Sequence, residues 1–232
     1  MKTLILMPTF NEVSSLKFTV EALRKENLDV DLLIIDDNSP DGTGLLADSF
    51  LDERTYVLHR KEKQGLGLAY LDGFEWARTR GYEVVVEMDA DGSHLASDLH
   101  RILERLQTSD LVLGSRWISG GAVLNWPAYR KAISRIGNFY ARLMLRTGIN
   151  DMTSGYRAFK LSFLKEMDLT GIAARGYAFQ VEMALRVKRA GGVVTEVPIT
   201  FVEREHGVSK MTTAIVLEAL WLVTKWGFYR SA

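Results

Sequence analysis

The sequence contains no cysteine among its 232 residues. Disulfide bonds and cysteine-ligated zinc sites are therefore excluded, and a reducing compartment is compatible with the composition. Only 4 residues are proline, which is too few for a proline-rich linker between separate domains. Lys plus Arg and Asp plus Glu both number 29, so the formal net charge is +0 and a nucleic-acid partner is not expected.

Long hydrophobic runs are also missing. A membrane-spanning helix needs about 18 or more consecutive apolar residues. The nearest segment, residues 211–229, contains Glu218 and Lys225, so we expect no transmembrane helix. The apolar run in "MKTLILMPTF" at the N-terminus is too short for a signal peptide, and we interpret it as a first strand.

The first half of the chain alternates between strand and helix patterns. Because strands that alternate with helices form parallel sheets, we predict an α/β fold with a mostly parallel sheet and helices on both faces. Three helices are predicted from apolar stripes: one that begins after Ser14 or Ser15, one that begins near Gly65, and one that carries Leu99, Ile102, Leu103 and Leu106. The predicted strands are "TLILMP", "VDLLIIDD", "TYVLHR", "YEVVVEMDAD" and "DLVLGS".

The second half is less regular. We predict a long helix that begins at Pro127 or just after it, and a polar loop at "DMTSGYRAF". The segment "AFQVEMALRVKRAGG" is typical of a helix that ends at glycine. A single strand is predicted for "VVTEVPITFVER", followed by a polar loop at "EHGVSK" and an apolar helix.

Polar residues follow four of the predicted strands, in "MPTFNE", "IIDDNSPDG", "EMDADGSH" and "LGSR". In open parallel sheets, ligands bind outside the carboxyl ends of the strands. A lone acid after a strand is more often a helix cap or a turn residue. Three of these four strand ends carry acids, however, and together they indicate a polar crevice along one edge of the sheet.

Asp89 and Asp91 form the sharpest motif. Strand periodicity places both side chains on the same side of the backbone, where two carboxylates repel each other unless a cation lies between them. Oxygen ligands without cysteine favour Mg²⁺ or Mn²⁺, and such an ion commonly neutralises a diphosphate. His94 follows three residues after Asp91 and could join the site, although a lone loop histidine is more often structural.

The ordered set "PTFNE", "DDNSPDGT", "DADGSH" and "GSR" resembles the nucleotide-sugar domain of family 2 inverting glycosyltransferases, which have a GT-A fold with a Rossmann-like sheet. In the second half, "NWPAYRKAIS", "DMTSGYRAF", "GYAFQVEM", "EVPITFVER" and "GVSK" resemble the polyprenol-phosphate mannose synthases, and in particular their actinobacterial branch. The resemblance implies one catalytic domain over residues 1–232. Its parts are a nucleotide-sugar half (1–116), an acceptor half (117–210) and an apolar helix (211–232).

The resemblance also implies residue roles. The residues it assigns to catalysis are Asp89, Asp91 and Arg116, and those it assigns to the metal are Asp91, Asp89 and Ser93. The residues implied for binding the acceptor phosphate are Arg116, Arg130 and Ser134. Asp151 and Ser154 are expected to stabilise the loop in which they lie. Asp36 is expected to stabilise the loop that follows it. The residues implied for nucleotide-sugar binding are Pro8, Phe10, Glu12, Ile35, Asp37, Asp89, Ala90, Asp91, Arg204 and Lys210.

Three positions depart from the family pattern. Relatives usually have tyrosine where this chain has Phe10, so a contact through a phenol hydroxyl is lost. Some relatives carry glutamine at the position of Ser93, which is a weaker ligand. Some archaeal relatives place a lysine at the position of Ala178, which removes one phosphate contact.

The implied reaction is a metal-dependent, inverting transfer of mannose from GDP-mannose to a polyprenyl (dolichyl-type) phosphate. The implied location is the cytoplasm, peripheral on the cytoplasmic face of the membrane, with the membrane surface or a membrane-anchored protein as partner. The terminal helix is either a core helix or an interfacial one, and we favour the interface. UDP-glucose as donor and a non-catalytic nucleotide-sugar binding module are the alternatives. A Rossmann dehydrogenase is disfavoured because no GxGxxG turn follows the first strand.

Overall fold

The computed structural model of the protein describes residues 1–169, 171–172, 177–204 and 213–228. Seven strands form its central sheet, and they are β1 (Thr3–Thr9), β2 (Val30–Asp36), β3 (Thr55–His59), β4 (Val84–Glu87), β5 (Leu111–Ser115), β7 (Arg157–Lys160) and β8 (Val194–Pro198). Their order across the 7-stranded sheet is β3-β2-β1-β4-β7-β5-β8. The predicted mostly parallel sheet is confirmed.

One strand runs against the others. β7 is antiparallel to both of its neighbours, β4 and β5, whereas the remaining pairs in this sheet are parallel. Arg157, the first residue of β7, therefore pairs with Glu87 at the carboxyl end of β4. The loop before β7 is thus brought to the edge of the sheet where ligands bind. The prediction of a loop throughout "DMTSGYRAF" was wrong for its last three residues, which begin this strand.

Helices cover both faces of the sheet. The helices are α1 (Leu16–Lys25), α2 (Thr43–Asp48), α3 (Leu66–Thr79), α4 (Leu99–Leu106), α5 (Ala128–Leu145), α6 (Leu161–Glu166), α7 (Tyr177–Arg189) and α8 (Thr213–Phe228), with a 3₁₀ turn at Ala96–Asp98. Along β1, Leu4 and Leu6 pack into one core cluster, while Ile5 and Met7 pack into the other. Because both faces are buried, the strand is continuously apolar rather than alternating.

The segment predicted as one strand from Val193 onward is divided in two. β8 ends at Pro198, and a separate strand β9 (Thr200–Val202) pairs in parallel with β6 (Ala122–Leu124). Proline has no backbone N–H to donate to a ladder, so a strand commonly ends or changes partner there. This change of sheet carries the end of β9 toward the edge where β4 and β5 terminate.

The long helix α5 begins directly after Pro127, as predicted. It packs against α8, where the Tyr140 and Thr224 hydroxyls are hydrogen-bonded at 2.5 Å. On α8, Leu222 and Val223 are buried, whereas Leu217 and Trp221 are exposed. The helix therefore has both a core side and a solvent side. Within the described ranges, no helix combines the length and the apolar character needed to span a bilayer.

Candidate active site

A cleft of about 470 Å³ opens at the carboxyl edge of the sheet and is lined by both halves of the chain. We call the side around Asp37, Asp89 and Asp91 the acidic end, and the side around Arg116 and Arg130 the arginine end. The predicted site residues that line this cleft are Pro8, Phe10, Glu12, Asp37, Asp89, Ala90, Asp91, Arg116, Arg130, Ser134 and Arg204. The structure thus brings together most of the residues predicted from the sequence.

Two of the predicted residues that the structure describes do not line the cleft, and a third lies outside the described residues. Ile35 is completely buried, and a Cβ atom added to Gly73 would meet its Cδ1 atom at 2.9 Å, so it is a core residue rather than a border of the site. Ser93 is also completely buried and is not part of the lining. Lys210 lies outside the residues that the structure describes.

Asp91 lies in a turn, and Asp89 lies between the end of the strand and that turn. β4 ends at Glu87, and Gly92 has a positive φ of 75°. The prediction that strand periodicity sets the direction of both side chains was therefore wrong. The Asp91 side chain is only 7% exposed and the Asp89 side chain 36% exposed. The backbone N–H of Ser93 donates to Asp91 Oδ1 at 3.0 Å, which fixes this turn.

Asp89 and Asp91 fit a divalent cation through their chemistry, because carboxylate oxygens facing a cleft are ligands that Mg²⁺ and Mn²⁺ accept. Within the described ranges, histidine and acidic side chains form no group of three that could enclose a metal ion. A site with two carboxylates matches ions that also bind substrate phosphates. Ser93 is corrected here, since its buried hydroxyl has no hydrogen-bond partner and it enters the site through its backbone N–H.

Arg204 also reaches the acidic end. It follows β9, and its Nη1 atom lies 3.2 Å from Asp91 Oδ2. The compensation that the sequence predicted for the carboxylate pair is therefore supplied, in this structure, by a guanidinium group. Ion pairs with limited exposure are screened less by salt than surface pairs, so this contact persists at ionic strengths that weaken surface pairs.

Asp37 is held by residues that the sequence analysis missed. The Arg60 guanidinium binds Asp37 through Nη1 and binds Asp72 through Nε at 2.7 Å. Burial raises the pKa of Asp37, and the hydrogen bond from Arg60 opposes that rise. Lys63 lines the cleft with its ammonium group 3.8 Å from the centre of the Phe10 ring. A basic run after the third strand, "HRKEKQG", was the available signal for both cations.

Glu12 and Asp36 connect neighbouring loops at the acidic end. The backbone N–H of Glu12 donates to Thr43 Oγ1 at 2.9 Å, and Ser15 Oγ donates to Glu12 Oε2 at 3.0 Å. Asp36 accepts from Ser39 Oγ at 2.6 Å, an arrangement that matches its predicted bracing of this loop. These contacts fix the loops after β1 and β2 to each other.

At the arginine end, Arg116 forms a two-pronged ion pair with Asp151. Its Nε and Nη2 atoms each lie 2.7 Å from a carboxylate oxygen, and its backbone N–H adds a bond of 2.9 Å. Asp151 is completely buried. This geometry leaves little freedom to the guanidinium plane, which makes Arg116 a fixed cation on the cleft wall.

Arg130 is fixed differently. Its Nη1 atom lies 2.6 Å from Glu203 Oε1, and its guanidinium carbon lies 4.0 Å from the centre of the Trp126 ring. Stacking on an aromatic face is a contact that arginine makes better than lysine. Ser134 lies one helical turn further along α5 and also lines the cleft, so two helix-borne polar residues face it at this end.

A buried polar layer lies beneath the two carboxylates. Arg157 donates to the backbone oxygens of Ser154, Met152 (3.2 Å) and Gln180 (2.8 Å), and its Nε lies 3.6 Å from Glu87 Oε2. Burial raises the pKa of Glu87 to about 7. Arg157 therefore ties the loop before β7 to α7 directly below the acidic end.

His94 has the structural role that is usual for a lone loop histidine. Its ring stacks on Tyr156 at 4.8 Å between centroids, and its Nδ1 atom accepts the backbone N–H of Asp89 at 3.1 Å. Burial lowers the pKa of His94, which favours the neutral ring. The ring thus supports the backbone of Asp89.

Comparison with known proteins shows the enzyme family to which this chain belongs. Residues 4–168 match the family model described as Glycosyl transferase family 2. The chain belongs to this family of glycosyltransferases, and its fold is GT-A. Glucosyl-3-phosphoglycerate synthase from Mycobacterium tuberculosis, in complex with Mn²⁺, UDP and phosphoglyceric acid, superposes with a TM-score of 0.73 at 14% identity, over 100% of this chain and 80% of that chain. The same enzyme with Mg²⁺ and UDP gives a TM-score of 0.72 at 16% identity.

Two curated relatives narrow the comparison. The undecaprenyl-phosphate mannosyltransferase of Micrococcus luteus is 51% identical over 229 residues, which are 98% of this chain and 94% of that protein. The polyprenol monophosphomannose synthase of Mycolicibacterium smegmatis is 46% identical over 230 residues, which are 97% of this chain and 87% of that protein. Both relatives are actinobacterial, in agreement with the branch predicted from the sequence.

Proposed function

We propose that this protein transfers mannose from GDP-mannose to a polyprenyl phosphate, with inversion at the anomeric carbon. The observation that carries the proposal is one cleft with a carboxylate pair at one end and fixed arginines at the other. The names of the two full-length relatives support mannose as the transferred sugar and a polyprenyl phosphate as the acceptor. In this assignment the acidic end holds the donor and the arginine end holds the acceptor.

The donor would be held by the loops after β1, β2 and β4. Asp37, which lines the cleft, would accept hydrogen bonds from the N–H groups of guanine, and Lys63 and Arg204 carry charge that suits a diphosphate. Asp89 and Asp91 would hold Mg²⁺ or Mn²⁺, which when bound would neutralise charge on the departing GDP. The Mn²⁺ and Mg²⁺ complexes of the structurally similar synthase support this general dependence.

Transfer of the sugar to a phosphate acceptor needs no general base. A phosphate monoester is already largely ionised at neutral pH, unlike a sugar hydroxyl, which usually requires a carboxylate to remove its proton. Arg116 and Arg130 would bind the phosphate and place one oxygen opposite the bond to GDP. Attack from that side inverts the anomeric carbon and yields a β-mannosyl phosphate without a covalent enzyme intermediate.

A hydrophobic stripe on α5 supports attachment to a membrane surface. We define the α5 stripe as its exposed large apolar residues, which follow helical spacing along one face and are Tyr129, Ile133, Ile136, Phe139 and Leu143. Exposed Arg135, Arg142 and Arg146 accompany the stripe and suit anionic headgroups. Exposed Leu217 and Trp221 of the neighbouring α8 extend the apolar surface.

Ile133 belongs to both the α5 stripe and the cleft lining. A lipid-borne phosphate could therefore enter the arginine end while its chain stays in the bilayer. We propose that the protein acts peripherally on the cytoplasmic face. That choice of face rests on the resemblance to the mannose synthases.

The direct test is a transfer assay. Purified protein is incubated with radiolabelled GDP-mannose, Mg²⁺ or Mn²⁺ and a polyprenyl phosphate in detergent, and the organic phase is analysed for an alkali-stable, acid-labile lipid-linked sugar. We expect a mannolipid with GDP-mannose and none without metal. Product from UDP-glucose in place of GDP-mannose would overturn the donor assignment, and no lipid-linked product from either donor would overturn the proposed reaction.

A further inference from the structure

Gln180 lines the cleft, but none of the roles described above involves its side chain. It is the fourth residue of α7 and is 1% exposed. Neither its Oε1 nor its Nε2 atom makes a hydrogen bond of normal geometry, although the amide faces the buried Glu87 carboxyl and acts to lower the pKa of that group. An amide buried in this way is unfavourable for the free protein, so a ligand that pairs with it gains binding free energy.

The position of Gln180 is fixed by packing on both sides. Its neighbour Phe179 is completely buried and stacks on Tyr70 with 6.0 Å between ring centroids. Arg157 donates to the backbone oxygen of Gln180 at 2.8 Å. The side chain is therefore presented by a rigid helix and not by a mobile loop, which is the arrangement a specificity contact requires.

Gln180 also lies close to the acidic end. Arg157 joins its backbone to that of Ser154, and the next residue, Gly155, lies against the Asp89 carboxylate. A Cβ atom added to Gly155 would lie 3.5 Å from both Asp89 oxygens. The Gln180 amide itself faces Glu87, two residues before Asp89 in the chain, so it lies in the part of the cleft where the group carried by a bound nucleotide diphosphate would lie.

The chemistry of the amide selects the kind of ligand. Gln180 offers one acceptor oxygen and an NH₂ group with two donors. A phosphate oxygen accepts only and would leave the Gln180 oxygen unpaired, whereas a hydroxyl both donates and accepts. Phosphate groups are, moreover, already matched by the cations Lys63, Arg116, Arg130 and Arg204 around the same cleft.

We propose that Gln180 binds hydroxyl groups of the transferred hexose and thereby contributes to the choice of sugar. This inference rests on the proposed function, because it places the sugar of the donor beside Asp89. It adds a specificity residue that contacts the sugar and neither the nucleotide nor the acceptor phosphate.

The test compares a nucleotide sugar with its own nucleotide. Calorimetry with Mn²⁺ gives the dissociation constants of GDP-mannose and of GDP for the wild type, for Gln180→Met, which keeps the side-chain length and removes both polar atoms, and for the exposed control Gln107→Met. We expect Gln180→Met to weaken GDP-mannose binding about tenfold, the change that corresponds to loss of one good hydrogen-bonding group. Binding of GDP should stay within twofold, and the control should change neither constant.

Thermal unfolding separates this role from a structural one. Since neither amide atom makes a hydrogen bond of normal geometry, Gln180→Met should unfold close to the wild-type temperature. A marked fall in unfolding temperature, equal losses for GDP-mannose and GDP, or no loss for either would overturn the inference. If the wild type binds UDP-glucose and not GDP-mannose, the proposed donor is wrong. The same comparison is then made with UDP-glucose and UDP, and a loss of affinity for UDP-glucose alone in Gln180→Met would support contact with the sugar.

Discussion

Arg204 Nη1 lies 3.2 Å from Asp91 Oδ2, so a guanidinium group contacts a carboxylate that we assign to the metal. Two cations cannot both approach this oxygen closely, since like charges at short range repel. The arginine and a divalent ion are therefore expected to compete for Asp91 until a diphosphate supplies further negative charge.

This competition gives the first prediction. Arg204→Gln should raise the affinity for Mn²⁺ in the absence of nucleotide by roughly threefold to tenfold, because a competing charge worth about 1 kcal/mol is removed. Electron paramagnetic resonance of free Mn²⁺ measures this affinity, and Arg105→Gln on α4 is the exposed control. Mannosyl transfer should fall in the same variant. A lower Mn²⁺ affinity would mean that Arg204 supports the metal instead.

The second prediction concerns the metal ligands. Asp91→Asn keeps the shape of the side chain but removes its charge, so it should reduce transfer on the order of 100-fold and abolish the response to added Mn²⁺. Asp29→Asn, at an exposed position, should leave transfer unchanged. Transfer rates measured across a Mn²⁺ titration check both variants, and an Asp91→Asn protein with wild-type activity would exclude the metal assignment.

The third prediction concerns the pair of Arg116 and Asp151. Asp151→Ala leaves a buried guanidinium group without its carboxylate, which should destabilise the protein by about 3–5 kcal/mol. Arg116→Lys keeps the charge but loses the two-pronged contact, so it should bind the acceptor less well while donor affinity is retained. Urea unfolding measures the first effect, and KM values for the two substrates measure the second. An equal rise in both KM values would argue against a role at the arginine end.

The fourth prediction tests the α5 stripe with two phenylalanines of equal exposure. Phe139 on α5 is 67% exposed and Phe18 on α1 is 66% exposed. Phe139→Ser should weaken binding to anionic vesicles about tenfold or more in a sedimentation assay, because burial of an aromatic side chain contributes about 1.5–3 kcal/mol. Phe18→Ser should not change vesicle binding. Equal behaviour of the two variants would show that α5 is not the membrane face.

The fifth prediction is a pH dependence of stability at Asp41. Burial acts to raise the pKa of Asp41, but hydrogen bonds from Thr43 and Val13 outweigh burial and hold the pKa below its ordinary value of 3.8. A carboxyl group with a lowered pKa stabilises the fold above its ordinary pKa, and that stability is lost as the pH falls toward the folded-state value. In urea unfolding between pH 5 and pH 3, Asp41→Asn should lose less stability than the wild type does, whereas Asp29→Asn should follow the wild type.

The acidic end was the most predictable part of the site from sequence. Its residues follow strands whose apolar runs are unmistakable, and parallel strands end at a common edge. Ile35 was misplaced because β2 is buried on both of its faces. Its apolar run is continuous, so the period of two does not distinguish a core position from one that borders the cleft.

Other features needed the tertiary structure. The direction of β7 is not encoded in a short apolar segment, because an apolar run has the same pattern in a parallel and an antiparallel strand. The face that α7 turns toward the cleft depends on its packing against Tyr70 and α8, so Gln180 could not be recognised as a cleft residue. The turn that follows Asp89 and carries Asp91 likewise depends on the end of β4 at Glu87.

The reversed strand β7 has a consequence for how such enzymes diversify. The chain leaves the sheet at the end of β5 and returns to the same edge at the start of β7, so residues 116–156 form an excursion whose two ends are fixed at neighbouring strands of that edge. A different excursion could be exchanged there without altering the register of β1, β2 and β4. Recognition of a new acceptor could then evolve as an interchangeable module while the nucleotide-sugar chemistry is inherited intact.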